Sequence, residues 1–280
     1  MFLLGLSQAS RTGSHEDLEQ SCAAIPTRFR GFAYEGAAMG LAMLDTITPG
    51  RRDRCAKYLH GCGDDHIYMV YIGFGWAMAR MPRLPRPRVA LDPVLQWLVL
   101  DGYGFHQAYF HTRDYVNRAF LPASLPWSPR SASGYAFRVL DQGVGRALWF
   151  VGGTDPRVVL DLIEGFPLRR RADLFSGVGL AATYAGGAGE SELRQIWAGA
   201  GEFRQQVAQG SAFAAEARRR AGLQVPESDV ATAVFCDLSA DEAAEIAVKT
   251  RPSQELAGDV PAYELWRRRV ADEFVSLGRC

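Results

Sequence analysis

A mainly α-helical, multi-helix bundle is the fold class this sequence predicts, and three observations carry that prediction. Convincing period-two alternation is almost absent. Helix-start signals recur along the chain, at Ser14-His15-Glu16-Asp17, Asp92-Pro93, Thr154-Asp155-Pro156, Pro226-Glu227-Ser228-Asp229 and Ser239-Ala240-Asp241-Glu242. Small residues alternate with Met, Leu and aromatics on nearly all sides of 32–46, 67–81 and 173–187, the pattern of helices buried all round. Together these give about ten to twelve helices in one all-helical domain spanning 1–280.

Taken in order, residues 1–10 are apolar and amphipathic, like the tail of a helix. Ser14 caps a helix through about Ala24, which Pro26 breaks. Phe32 to Thr46 is a buried helix whose Gly36 and Gly40, four apart, admit a second helix closely; Glu35 is the one charge inside it before Asp45. Pro49-Gly50 ends it, and Arg51 to His60 is a short basic helix. Ile67–Met81 is the second buried helix. Pro82, Pro85 and Pro87, with Arg between them, form a rigid connector. Asp92-Pro93 caps Val94–Leu100, and the helical pattern continues to about Phe120. Leu121 to Ser133 is a loop. Tyr135–Val151, Arg157–Gly165 and the helix that begins near Asp173 and ends at Gly186-Gly187 follow. One helix is expected from Ser191 to Gln209 and another from Ser211 to Arg220. Val230–Leu238, a capped helix after Ser239, a polar loop over 251–262 and Tyr263–Leu277 complete the chain.

Two stretches echo one another. Leu100-Asp101-Gly102-Tyr103-Gly104-Phe105-His106-Gln107-Ala108-Tyr109-Phe110 and Leu140-Asp141-Gln142-Gly143-Val144-Gly145-Arg146-Ala147-Leu148-Trp149-Phe150 both open Leu-Asp and close aromatic-Phe. Gly36 and Gly177 each follow an Arg by six positions. These echoes suggest two related halves, 27–120 and 134–222, followed by C-terminal helices over 228–277.

The composition narrows the function classes. The chain has 280 residues, 48% of them hydrophobic, enough for a large core. Its 31 basic and 31 acidic side chains cancel, which gives no electrostatic case for nucleic acid or an anionic membrane. The five cysteines are odd in number and no basic n-region opens the chain, so reduced thiols in the cytoplasm are expected. The longest uncharged apolar runs, Ile67 to Ala79 and Gly177 to Gly189, are 13 residues each, short of the roughly 20 that span a bilayer.

Among the candidate chemistries, Cys55, His60, Cys62 and His66 are ligand types, but their spacing matches no standard zinc motif, so no metal site is expected. Gly73-Phe74-Gly75, Gly102-Tyr103-Gly104 and Gly143-Val144-Gly145 lack the third glycine and the preceding strand of a dinucleotide loop. No G-x-S-x-G is present. That leaves acid–base chemistry. Glu35, Asp101, His106 and Asp141 sit in apolar surroundings, where burial raises a carboxyl pKa and lowers that of an imidazole. Tyr34, Tyr68, Trp76, Tyr103, Phe105, Tyr109 and Trp149 are the aromatic candidates to line a pocket for a polyene or carbocation, with Gln142 and Arg146 as polar contacts. The competing reading is that the polar groups cap helices or pair across the core, and that the aromatics are packing.

Arg30-Gly31-Phe32-Ala33-Tyr34-Glu35-Gly36-Ala37-Ala38-Met39, Asp101–His106, Asp141–Arg146 and Arg171-Ala172-Asp173-Leu174-Phe175-Ser176-Gly177-Val178-Gly179-Leu180 resemble, in this order, the bacterial domain-of-unknown-function family 1702 (DUF1702). The resemblance spans about residue 2 to 275. Members usually carry one more N-terminal helical segment, so this chain starts late against that pattern. The resemblance implies a soluble protein of specialised metabolism, encoded beside polyketide genes including those for enediynes. It brings no catalytic assignment, and Cys55, His60 and Cys62 fall outside its pattern.

The expected function is a cofactor-independent cyclase or isomerase acting on a hydrophobic polyene or isoprenoid intermediate of natural-product biosynthesis. Asp101, His106, Glu35 and Asp141 are its acid–base candidates. Neither DDxxD nor DxDD occurs and Asp64-Asp65 lacks a third acid, so Mg2+ enters only if the substrate is a diphosphate. The alternative is a non-catalytic protein that carries or shields a polyketide intermediate. The expected partners are a hydrophobic small molecule and either a second copy of the chain or a synthase.

Overall fold

The computed structural model describes residues 1–11, 14–48, 53–81, 89–127, 133–253 and 260–280. Among them are fourteen α-helices and no strand. They are α1 (Phe2–Arg11), α2 (His15–Ala23), α3 (Thr27–Ile47), α4 (Arg54–Leu59), α5 (Ile67–Arg80), α6 (Leu98–Phe110), α7 (Ser133–Val151), α8 (Pro156–Glu164), α9 (Leu168–Ala185), α10 (Glu190–Ala200), α11 (Arg204–Arg220), α12 (Pro226–Phe235), α13 (Ala240–Thr250) and α14 (Ala262–Ser276). The all-helical class and nearly the expected number of helices are therefore present. No helix among the described residues is long and apolar enough to cross a membrane.

The architecture follows from glycine. Helices α1, α3, α5, α6, α7, α9 and α11 form one array in chain order, each packed on the next. Residues two apart on a helix point roughly 200° from one another. A G-x-G pair therefore offers a bare backbone to opposite sides. Gly73 of α5 faces the Glu35 carbonyl of α3, and Gly75 faces Val99 of α6. Gly102 faces back to Ile72 and Gly104 forward to Leu140; Gly143 faces back to Asp101 and Gly145 forward to Leu174; Gly177 faces back to Gln142 and Gly179 forward to Val207. Four G-x-G pairs thus clip the middle of the array together, and Gly36 and Gly40 of α3 receive α1 in the same way.

Successive array helices run in the same direction. Along α7 and α9 the contacts climb together, from Asp141–Arg170 to Trp149–Gly186. Along α9 and α11 they climb from Ser176–Gln209 to Tyr184–Arg218. The intervening segments, α2, α4, α8, α10 and the stretches around 89–97 and 111–127, carry the chain back.

Two groups of three helices are built alike. Pro26 precedes α3 with φ −52° and ψ 138°, and Pro167 precedes α9 with φ −53° and ψ 138°. Arg30 Nε donates to the Ile25 carbonyl at 3.1 Å, and Arg171 Nε to the Phe166 carbonyl at 2.9 Å. One constant shift relates Pro26, Arg30 and Gly36 to Pro167, Arg171 and Gly177. This register pairs α1–α3 with α7–α9.

Local boundaries differ from expectation at one informative place. The helix expected over 191–209 breaks at Gly201, where φ is +53°, and α11 then runs unbroken through Gly210. Gly201 supplies a backbone geometry that other residues adopt at a cost. Gly210 instead sits mid-helix against the Ser176 carbonyl of α9. Glycine as a stop and glycine as a contact look the same in one sequence. The connector expected at 82–87, Pro49-Gly50 and parts of the loops over 121–133 and 251–262 lie outside the described residues.

Candidate functional site

A cavity of about 960 Å3 opens near the C-terminal ends of α3, α5, α6 and α7, with α1 as its outer wall. Its sides are apolar: Phe2, Leu3 and Leu6 of α1, Phe32, Met39 and Met43 of α3, Trp76 of α5, Phe105, Tyr109 and Phe110 of α6, and Phe150 of α7. The aromatic rings interlock, with Phe2 to Trp76 at 4.5 Å, Trp76 to Phe105 at 5.3 Å and Phe105 to Phe150 at 5.5 Å between centroids. Leu3, Ile47, Tyr109, Phe110 and Phe150 are exposed at its rim.

The polar groups on its wall are few. Glu35 and Arg146 line it and are almost fully buried, and Arg80 lies on its lining with an exposed side chain. Arg146 pairs through Nη1 with Asp101, which is wholly buried behind it. The Asp101 carboxylate also accepts from Gln142 Nε2 at 2.8 Å, and Gln142 in turn donates to the Tyr263 hydroxyl at 3.0 Å. A chain of hydrogen bonds therefore runs from the cavity through α6 and α7 to α14. The Arg146 guanidinium also lies 5.1 Å from the centre of the Phe105 ring. Burial works against its charge, but Asp101 and Glu35 outweigh burial and hold it protonated.

Glu35 differs in kind from Asp101. Its carboxyl has no ion pair within 4 Å among the described residues, although Arg146 is close enough to act on it. Burial pushes its pKa up to about 7; Arg146 opposes the rise, Asp101 adds to it and the Trp76 indole N–H opposes it weakly. Because the folded pKa lies above the unfolded value of 4.5, the folded state binds this proton more tightly. The associated stability is fully present below about pH 4.5 and is lost as pH rises through about 7. Glu35→Gln is accordingly expected to be more stable than the parent at about pH 8, by up to about 3 kcal/mol, with a flatter dependence between about pH 5 and 8. Urea unfolding at both pH values checks this, and equal dependence in the two proteins would refute it.

The other candidates are placed as follows. Trp76, Phe105, Tyr109 and Arg146 line the cavity with Glu35. Asp101 lies one side chain behind it. His106 is on α6 but off the cavity, edge-on to Trp76 and 4.8 Å from the Phe110 ring. Burial lowers its pKa to about 4 despite the Gln107 side chain at 3.2 Å, so it is neutral. Asp141 is bound bidentately by Arg170 at 2.6 and 2.9 Å; Arg170 also donates to the Ala119 carbonyl, tying down the 111–127 segment. Burial, only partly offset by Arg170, raises Asp141 to about 6. Asp101 and Asp141 thus face successive helices of the array and not each other, and neither caps a helix. Tyr34 stacks on His66 at 3.5 Å, Tyr68 lies within electrostatic range of Glu216, Tyr103 accepts from Gln107, and Trp149 donates to the Gly186 carbonyl. These four belong to the core away from the cavity, as does Gln142.

Sequence reasoning missed the α1 wall and Met39, Met43 and Phe32. The signal was present in the Gly36–Gly40 spacing, which calls for a closely packed helix; that helix is α1. Among the described residues no three His, Cys, Asp or Glu side chains gather as a metal ligand set. Cys55 is buried with its backbone N–H on Asp45, and His66 lies under Tyr34.

The family model described as a protein of unknown function (DUF1702) matches residues 1–274. No curated protein and no solved structure matches the chain.

Proposed function

The chain belongs to the DUF1702 family, and from that premise, which leaves the chemistry to the site itself, we propose a cofactor-independent cyclase or isomerase that moves a proton on a hydrophobic substrate. The observation that carries this is Glu35: a buried carboxyl without an ion pair among the described residues, on the wall of a large aromatic cavity, with its pKa raised to about 7. A group in that state both donates and accepts a proton at physiological pH, where general acid–base catalysis is most effective. Aromatic faces of Phe2, Phe32, Trp76 and Phe105 offer negative quadrupoles to positive charge that develops on the substrate. Asp101 is already committed to Arg146 and Gln142, and serves as a positioning residue. The substrate class is a polyene or isoprenoid intermediate of bacterial natural-product biosynthesis, handled in the cytoplasm.

The test is co-expression of the protein with polyketide or isoprenoid pathways, followed by comparison of products for the parent and Glu35→Gln. The product that depends on the parent is expected to fall by roughly a hundredfold or more with the variant, while urea unfolding shows the variant folded. Identical products at equal yield from both would leave a carrier that shields its ligand, and Glu35 would have no part in chemistry.

A further inference from the structure

The polar groups along the cavity also select among ligands, and we infer that it takes an amphiphile with one uncharged oxygen-bearing end, such as a ketone or aldehyde, directed inward at Glu35, Arg146 and Trp76. This deepens the proton-transfer reading above and rests on the same cavity.

Two features support it. The first is unmet hydrogen-bonding capacity. Arg146 Nε and Trp76 Nε1 are buried donors on cavity-lining residues, and neither has an acceptor among the described residues. The Trp76 indole N–H leans on the Glu35 carboxyl and lowers its pKa, but the contact is too loose to satisfy the donor. Buried donors are nearly always satisfied, and leaving one unpaired costs about 1–3 kcal/mol. A ligand oxygen placed there would relieve that cost, and a pure hydrocarbon would not.

The second feature is charge. With Glu35 ionised, the wall and the layer behind it hold two carboxylates, Glu35 and Asp101, and one guanidinium, which is already paired with Asp101. A carboxylate or phosphate buried beside them would face a net negative site with no free cation among the described residues. The other cation on the lining, Arg80, is exposed and lies over the Phe110 ring at 4.7 Å, where solvent and salt screen it. A neutral oxygen with a long apolar body satisfies both conditions.

The experiment uses the full chain at about pH 8, where Glu35 is ionised. Hexadecyl methyl ketone, hexadecane, palmitate and hexadecyl phosphate compete for the cavity against a fluorescent apolar dye. The ketone is expected to bind roughly tenfold tighter than hexadecane and than either anion. The same order is expected in Arg80→Gln, which removes the cation that lines the mouth among the described residues. Trp76→Phe keeps an aromatic ring but not the N–H, and is expected to lower the ketone-to-hexadecane preference roughly fivefold. Equal binding of ketone and hexadecane, an anion binding as tightly as the ketone, or an unchanged preference in Trp76→Phe would each overturn the inference. Bound ketone is then held in heavy water. If Glu35 takes the proton α to the carbonyl and returns a deuteron, label enters the ketone. Selective binding without label would sink the proton-transfer reading and leave the ligand selection standing.

Discussion

Gly143→Ala is expected to destabilise the protein by about 3 kcal/mol or more, the upper end of the cost of overpacking. An added Cβ would lie 1.9 Å from the Asp101 carbonyl oxygen and 2.8 Å from the Phe105 nitrogen. Both are backbone atoms, so no rotamer change relieves the clash. Helix α6 would have to move off α7, and α5 is clipped to the other side of α6 through Gly75 and Gly102. The displacement therefore cannot stay local. Gly134→Ala is the control: nothing lies within 4 Å of its added Cβ, and alanine's better helix propensity makes it neutral or stabilising by up to about 1 kcal/mol. Urea midpoints at constant slope distinguish the two. A Gly143→Ala midpoint within error of the parent would show that the array tolerates wider spacing than its geometry implies.

Arg146→Met is expected to cost about 3–5 kcal/mol, because it leaves the Asp101 charge buried with only Gln142 to satisfy it. The double variant Asp101→Leu/Arg146→Met removes both charges and is expected to regain most of that loss. The expected coupling is thus large and opposite in sign to the single effect. Additive losses in the double-mutant cycle would mean that each side chain acts by packing alone. The same cycle bears on ligand selection, since the double variant keeps the apolar walls and loses the paired guanidinium.

Much of the fold was readable from residue patterns. The small-residue stretches at 32–46, 67–81 and 173–187 became α3, α5 and α9 because a helix lined by Gly and Ala can be buried only among other helices. Three of the G-x-G pieces, at 73/75, 102/104 and 143/145, read in the sequence only as incomplete dinucleotide loops. Their recurrence at 73/75, 102/104, 143/145 and 177/179 is the array's address system, and it becomes legible once each pair is placed on a helix rather than a turn. At the site, Glu35 stood out as a charge inside an apolar helix. The partners of Asp101 and Asp141 did not, because a helical sequence states which residues are buried and not which neighbour receives them. Phe2 and Leu6 look like an ordinary helix end until α1 is seen lying against α3.

The common direction of the array has an electrical consequence. Each α-helix carries a macrodipole that places roughly half a negative charge at its C-terminus. Helices α3, α5, α6 and α7 bring those ends to the same side of the molecule, around the mouth of the cavity. Their summed backbone field favours a substrate that gains positive charge and opposes one that arrives as an anion, in the same sense as Glu35. This field belongs to the peptide groups. It persists in Glu35→Gln and in every other side-chain variant that keeps the fold.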